Sequence, residues 1–243
     1  MKCAIMQPTY IPWLGYFDLI DQVDKFVFLD NVKLEKSSWQ VRNRIKTRQG
    51  ELYLTIPVNT PQGRMHTLIN ETLIDNKQPW QEKHLKSITH SYKDAAFFNE
   101  VFSFLERLLT KRIDALSPLN IAVIKEISAK LGIATQFIKA SDLAGITGVR
   151  ELRIVSICKT LGCEYYLSPI GASGYIEKYS PGGQLVKNGL QLYYQNYEHP
   201  IYSQLYGTFT PFMSVIDLFF NCGFLRAREI IKSGRRDPLK KVK

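Results

Sequence analysis

The first thirty residues constrain the fold most. Lys2-Cys-Ala-Ile-Met6 is a short apolar run followed by Pro8 and Pro12. It reads as a buried strand leading into a stiff loop, because proline fixes its own φ and offers no N–H to a ladder. Leu14, Phe17, Ile20 and Val23 then recur at helical spacing, and Lys25-Phe-Val-Phe-Leu29 is a second apolar run ending at Asp30. Strand, loop, helix and strand within about thirty residues make a βαβ unit. Such units build parallel sheets with right-handed crossovers, and ligands in those sheets bind beyond the carboxyl ends of the strands. Gln7–Trp13 and Asp30–Lys46 both follow carboxyl ends, so the two loops are expected to face one crevice.

The pattern continues along the chain. Leu52–Pro57 and Thr67–Ile74 read as further strands, with turns at Gln49-Gly50 and Asn59–Gly63. Helical periodicity covers Trp80–Tyr92, Asn99–Ala115 and Leu119–Leu131, the last stopping at Gly132 as helices commonly do. Thr135–Lys139 as strand, Val149–Leu161 as helix and Glu164–Leu167 as strand form a second βαβ unit, running into the loop Ser168–Gly174. Leu190–Tyr197 is a late strand, and Ser214–Phe220 and Phe224–Ile231 are short helices. The expectation is a single α/β domain over residues 1–231, with a helical insertion near 79–131 and a basic C-terminal tail over 232–243.

Composition narrows the class. The chain has 243 residues, of which 45% are hydrophobic and 12% aromatic, so it is neither disordered nor fibrous. The longest apolar stretch, Phe209–Leu225, is broken by Pro211, Asp217 and Asn221 and falls short of the ~20 residues a membrane span needs. With two prolines where an export signal would be apolar, the chain is expected to be soluble and cytoplasmic. Cys3, Cys158, Cys163 and Cys222 are too scattered for a disulfide framework, and the four histidines lack metal-ligand spacing, so no metal is expected.

The net charge of +10 is unevenly placed. Lys33–Arg48 carries six basic residues against Glu35, and Leu225–Lys243 carries eight against Glu229 and Asp237, which leaves the remainder at −1. A nearly neutral body with two basic segments suggests an internal anion site and a solvated terminus. It does not suggest a protein that coats nucleic acid. The expected partner is a small anionic molecule, and oligomeric state is left open.

Three constellations carry chemistry. In Gln7-Pro-Thr-Tyr-Ile-Pro-Trp-Leu-Gly-Tyr16, Gly15 allows close approach, the following helix offers free N–H groups to an anion, and Gln7, Tyr10, Trp13 and Tyr16 are candidate contacts. By position the loop is similar to the HxGH loop of nucleotidyl-transferring enzymes, with Trp13 and Tyr16 standing where the histidines would be. The alternative is a proline-stiffened turn whose aromatics are core. In the basic loop, Arg42 and Arg44 alternate along a strand and would present paired guanidinium forks to a phosphate or carboxylate, joined by Trp39, Asn43 and Lys46. A solvated, salt-bridged hairpin explains the same residues. The acid–base candidates are His199, poised to exchange protons near neutral pH beside Tyr202 and Gln204, and Asp30; His199 reads also as a structural histidine in a turn, and Asp30 as a helix- or loop-capping group or a ligand for sugar hydroxyls. Asp217 and Asn221, one helical turn apart on an apolar helix, need buried partners or line the pocket. Ser168, Gly171 and Gly174 form a weak glycine-rich candidate for phosphate contact. Walker-type, dinucleotide-fingerprint and Gly-x-Ser-x-Gly motifs are all missing.

Ala4–Phe17, Trp39–Lys46, Leu54-Thr-Ile-Pro57, Tyr166-Leu-Ser168, His199–Gln204 and Ser214–Asn221 together resemble the WbqC-like proteins encoded in bacterial surface-polysaccharide (O-antigen) clusters. The resemblance runs from residue 2 to about residue 224 and implies a polysaccharide context, with no catalytic residue carried over. One departure is visible. Where the family pattern has Gly-Pro-Ala after Tyr-Leu-Ser, this chain has Pro169-Ile-Gly171.

These readings lead to one expectation. The fold is α/β, a mostly parallel Rossmann-like, HxGH-loop nucleotidyltransferase-like sheet with helices on both faces, an additional antiparallel hairpin and a helical insertion. The activity is group transfer, of an acyl or aminoacyl group, onto an amino sugar or nucleotide-linked sugar in surface polysaccharide biosynthesis. The loop after the first strand and Arg42–Lys46 hold the phosphates, and His199 or Asp30 is the base. No intrinsic cofactor is expected beyond a nucleotide or nucleotide-linked ligand. The alternatives are an adenylate-forming or nucleotidyl-transferring enzyme and a non-catalytic ligand-binding or scaffold protein of the same pathway.

Overall fold

Alternation along the first strands decides the architecture. In β1 (Lys2–Met6), Ala4 packs into one buried cluster while Cys3 and Ile5 pack into a second. After helix α1 (Leu14–Asp21), strand β2 (Lys25–Phe28) does the same, with Phe26 and Phe28 in the first cluster and Val27 in the second. Successive side chains of a strand point to opposite faces, so a strand apolar on both faces must lie inside a sheet covered on both sides. The computed structural model describes residues 1–35, 38–60, 63 and 66–240. Lys36 and Ser37 of the basic loop, Pro61 and Gln62 of the expected turn, and 241–243 of the basic terminus lie outside the described residues.

The chain continues through a hairpin, β3 (Arg42–Thr47) and β4 (Gly50–Thr55), and a two-residue pair, β5 (Val58–Asn59) with β6 (Leu73–Ile74). Helices α2 (Trp80–Tyr92), α3 (Phe98–Leu109) and α4 (Leu116–Lys130) precede β7 (Gln136–Lys139), α5 (Glu151–Thr160) and β8 (Tyr165–Ser168). Two short helices, α6 (Ser173–Ile176) and α7 (Gly183–Lys187), lead to β9 (Gln191–Tyr197), α8 (Val215–Ser233) and β10 (Arg235–Leu239).

Six strands form the central sheet in the order β7-β2-β1-β8-β9-β10. The first five are mutually parallel and β10 runs antiparallel to β9. The chain thus winds outward from β1 through β2 to β7, then returns to the other side of β1 and winds through β8 and β9. This is the doubly wound, Rossmann-like order, and its direction reverses between β1 and β8. Buried residues of α1, α4 and α8 belong to the cluster on one face, and those of α5 and α7 to the cluster on the other.

Four expectations change. Thr67–Ile74 is a 3-10 turn at Ile69–Glu71 followed by the two-residue β6, because Thr72 Oγ1 turns back to the Leu68 carbonyl (2.8 Å) and Glu71 accepts the Leu68 N–H (3.3 Å). The helix expected to reach Ala115 ends at Leu109. The two short helices expected after Ser214 are one run, kinked at Gly223, whose φ of 73° and contact with Phe97 (2.7 Å from a Cβ placed there) both require glycine. Finally, the segment expected as a basic tail continues as strand through Leu239. Arg235 binds Asp18 (2.8 Å) and Asp21 (2.6 Å), and Gln195 also donates to Asp18 (2.7 Å), so a carboxylate with no exposure holds this strand on the sheet. Among the described residues no helix is long and apolar enough to cross a membrane.

Candidate functional site

The loop after β1 sits at the reversal point and is held from three directions. Asn43 of β3, 4% exposed, donates to the carbonyls of Tyr10 (3.0 Å) and Ile11 (2.8 Å). Asn120 of α4 donates to the carbonyls of Pro8 (3.1 Å) and Gln40 (2.8 Å). Ser214, just before α8, donates through Oγ to the Ile11 carbonyl (2.8 Å) and through its N–H to the Arg44 carbonyl (2.9 Å). Each bond satisfies a backbone group that the irregular loop would otherwise leave buried and unpaired. Ile11 and Phe212 are held at φ of 39° and 60°. For a β-branched and a bulky residue that is backbone strain, which persists where surrounding contacts over-determine it.

Between these segments lies a cavity of about 300 Å³, lined by Met6, Thr9, Pro12, Trp13, Tyr16, Trp39, Asn43, Arg44 and Phe212. Five of these were expected from the sequence. Met6, Thr9, Pro12 and Phe212 were not, although Pro12 and Met6 flank the expected loop and Pro211 marks the loop that carries Phe212.

The lining is aromatic and cationic. Trp13 meets Tyr197 (ring centroids 5.6 Å) and Phe212 (5.4 Å) edge-on and stacks on His199 (6.0 Å, planes 14° apart). Tyr16 is 2% exposed and donates to the Gln7 carbonyl (3.0 Å). The Gln7 side chain is bonded by Gln40, which in turn receives Ser38. Gly15 serves the indole of Trp13, which lies where a Cβ would be. Arg44 donates through Nε to the Phe212 carbonyl (3.2 Å) and through Nη1 to Glu51 (2.7 Å), with no partner for Nη2 among the described residues.

Other expected residues stand elsewhere. Tyr10 is fully buried against His84 (OH to Nδ1, 3.0 Å) and Trp80. The same His84 reaches the Thr55 carbonyl through Nε2 (3.1 Å), and burial pulls its pKa down to about 4. Asp30 is 2% exposed and takes both the N–H (2.9 Å) and hydroxyl (2.7 Å) of Ser141, capping the turn after β7. Ser168 is buried at the end of β8, where its hydroxyl turns to the Pro169 carbonyl (3.3 Å), and Gly171 and Gly174 are exposed.

Lys46, Tyr202, Gln204, Asp217 and Asn221 form a separate buried network. Asp217 accepts from Tyr92 (2.7 Å), Tyr202 (2.8 Å) and Gln204 (2.7 Å). Gln204 also accepts from Lys46 Nζ (3.2 Å), which donates to the Thr208 carbonyl (2.6 Å). Burial raises the Asp217 carboxyl against the pull of those donors and of Lys46, and burial lowers the Lys46 ammonium against the pull of Asp217. Asn221 accepts from the Leu205 N–H (3.0 Å) and donates to the Asp217 carbonyl (2.7 Å). The network anchors the 202–212 loop that brings Phe212 to the cavity.

His199 touches the cavity lining at Trp13 and at Phe212 (5.1 Å between ring centroids). Its Nδ1 lies 2.9 Å from the Pro200 carbonyl, and a carbonyl can only accept, so the proton sits on Nδ1. Nε2 is then a bare acceptor, buried and without a partner among the described residues. Burial lowers the imidazole pKa against the pull of the Pro200 carbonyl, which favours the neutral ring. Among the described residues, no group of three or more His, Cys, Asp or Glu side chains is placed to hold a metal ion.

The sequence of this chain is similar to that of Rv1507c, an uncharacterized protein of Mycobacterium tuberculosis, with 37% identity over 223 residues that cover 91% of this chain and 94% of the relative. No solved structure matches it. A model of the WbqC-like protein family matches residues 7–229, a span that includes every residue of the cavity wall except Met6. On both grounds the chain belongs to the WbqC-like protein family.

Proposed function

We propose that this chain is a group transferase that binds a nucleotide-linked amino sugar at the end of β1 and moves an acyl or aminoacyl group onto it, in surface polysaccharide biosynthesis in the cytoplasm. The observation that carries the reading is the convergence of Trp13, Trp39, Arg44 and Phe212 on one cavity at the point where the sheet reverses direction. Ligands of doubly wound sheets bind at that point, and polar groups placed among aromatic ones give orientation as well as affinity. Arg44 keeps Nη1 on Glu51 and offers Nη2 to an anion.

Of the two candidate bases, His199 touches the cavity wall, whereas Asp30 is committed to Ser141. In this reading His199 Nε2 takes the proton of the attacking amine through one water, while the bond from the acyl carbon to its donor carrier breaks and the carrier leaves with that electron pair.

A second reading, adenylate formation or nucleotidyl transfer on the HxGH-loop plan, is favoured by the strand order and by the position of the loop after β1. Against it, Trp13 and Tyr16 replace the imidazoles that would stabilise a transferred phosphoryl group.

The test is incubation with nucleotide-linked amino sugars and acyl or aminoacyl donors, followed by mass spectrometry and a pyrophosphate assay. A mass gain on the sugar that is lost in the Arg42→Ala/Arg44→Ala double variant is the expected result. Pyrophosphate release with ATP would favour the second reading, and binding without product under every donor would favour a non-catalytic ligand-binding or scaffold protein.

A further inference from the structure

The aromatic rings expected to stack on a ligand in the loop after β1 are largely committed to protein neighbours. Tyr16 is 2% exposed, and Trp13 packs against Tyr197, His199 and Phe212. A different stacking surface is open, on the outer face of the β3–β4 hairpin. Arg42 and Arg44 alternate along β3, Tyr53 is registered opposite Arg44, and Trp39 lies in the turn that leads into β3. The Trp39 and Tyr53 rings have centroids 6.2 Å apart and planes within 25° of each other. At that separation and angle they form an offset-stacked pair, which leaves part of each ring uncovered. They are exposed, at 47% for Trp39 and 42% for Tyr53. The Arg42 guanidinium lies 4.6 Å from the Tyr53 centroid and that of Arg44 lies 5.8 Å from the Trp39 centroid.

Two further observations point to a ligand. Arg42 Nε is buried with no partner among the described residues, and an orphaned buried donor is uncommon enough to need a cause. The surface is also continuous with the cavity, since Trp39 and Arg44 belong to its wall. At about 300 Å³ that cavity is at the lower limit for a small-molecule site. A ligand as large as a nucleotide-linked sugar must therefore extend beyond it, and the adjoining open surface is the hairpin. On its far side Tyr53 borders a second depression of about 380 Å³ with Thr55, Gln78, Lys83 and Ser87 in its wall, side chains suited to the polar edge of a base.

We propose that the outer face of the β3–β4 hairpin is a nucleotide subsite. The base stacks on Trp39 and Tyr53, the phosphates are held by Arg42 and Arg44, and the remainder of the ligand enters the cavity at the end of β1. This rests on the nucleotide-linked reading above and assigns each part of the ligand a place. Aromatic rings stack on any base through its π-face, so the subsite discriminates weakly among bases and strongly against a phosphate group with no base.

The experiment is calorimetric titration of the full chain with a panel of nucleoside diphosphates, with inorganic pyrophosphate and with a nucleotide-linked sugar. It is repeated on Tyr53→Ala and Tyr53→Phe, both at an exposed position, after thermal melts show the variants folded. The expected result is binding of the nucleoside diphosphates and much weaker binding of pyrophosphate. Tyr53→Ala should lose about tenfold in affinity or more for the diphosphates, the usual worth of one base–aromatic stack, with pyrophosphate unchanged and Tyr53→Phe close to the parent. If the nucleotide-linked sugar binds but Tyr53→Ala binds it as tightly as the parent, the subsite is wrong and the cavity reading survives. Pyrophosphate binding as tightly as the diphosphates would also overturn the subsite. If no nucleotide or nucleotide-linked sugar binds, both fall.

Discussion

The indole of Trp13 lies over Gly15, in the space that a Cβ on that residue would fill. The glycine therefore shapes the wall of the cavity, since it lets a large ring fold back onto the start of α1 and meet His199 and Phe212 from there. In Gly15→Ala, the added methyl should push the ring away and cost roughly 1–3 kcal/mol of stability by overpacking. Helix propensity alone predicts the reverse, a gain of about 1 kcal/mol. Chemical unfolding read by tryptophan fluorescence decides between them. A variant as stable as the parent, with unchanged emission, would show that the indole is free to move.

Asn43 ties β3 to the loop after β1 through two backbone carbonyls. Asn43→Ala should leave both acceptors buried without that donor, costing about 1–3 kcal/mol. Because the same residue forms part of the cavity wall, ligand affinity should fall as well. Asn43→Asp should be worse still, since a carboxylate would face two carbonyl oxygens. Melting temperature and titration on the same samples check both effects, and a wild-type affinity in Asn43→Ala would remove this residue from the site.

The pH dependence of stability has a defined sign at His84. Its pKa is near 4 in the folded chain and about 6.5 when unfolded. The unfolded state therefore binds the proton first, and stability is lost as pH falls from about 6.5 to about 4. From this group the loss is about 3 kcal/mol. Asp217 and Asp18, whose carboxyls burial raises, act oppositely, with their contribution lost as pH rises through their folded values. Comparing unfolding free energies of the parent and His84→Gln across pH 4 to 7 isolates the histidine. An NMR titration placing His84 near 6.5 would contradict the buried, doubly bonded ring.

Asp217 and Lys46 compensate one another through Gln204. Asp217→Asn should cost roughly 1–3 kcal/mol, by turning an amide N–H towards the donors of Tyr92, Tyr202 and Gln204 and by removing the negative charge that Gln204 links to Lys46. Lys46→Met in the same chain should restore part of that loss, because an apolar side chain needs no counter-charge there. A double variant no more stable than Asp217→Asn alone would mean that the carboxylate is needed for its tyrosine bonds and not for charge balance.

The strands of the sheet were legible because they are buried on both faces, which leaves a continuous apolar run in the sequence at Lys2–Met6 and Lys25–Phe28. The alternation of Arg42 and Arg44 likewise announced a hairpin face. Thr67–Ile74 has the same β-branched content as a strand but closes on itself through Thr72 and Glu71, a local hydrogen-bond choice that periodicity does not register. Charge at the carboxyl-terminal region was misleading for a different reason. Arg235 looks like solvated terminus until Asp18 and Asp21 are placed beside it, and that pairing is long-range. In the site, Trp13 and Trp39 could be found as aromatics on the segments that follow β1 and β2, and Arg44 as one of two alternating charges on a strand. Phe212 was harder to find, because long-range contacts place its loop, the network on Asp217 and the bond from Arg44 to its carbonyl.

The pairing of Asp18 with Arg235 spans 217 residues of chain, and that distance becomes a waiting time when the protein is made. At about 5–20 residues per second, a ribosome delivers Arg235 on the order of ten to forty seconds after Asp18. Throughout that interval a helix meant for the interior carries two carboxylates without their guanidinium partner. Phe212 leaves the ribosome in the same late stretch of chain, so the cavity wall is completed only near the end of synthesis.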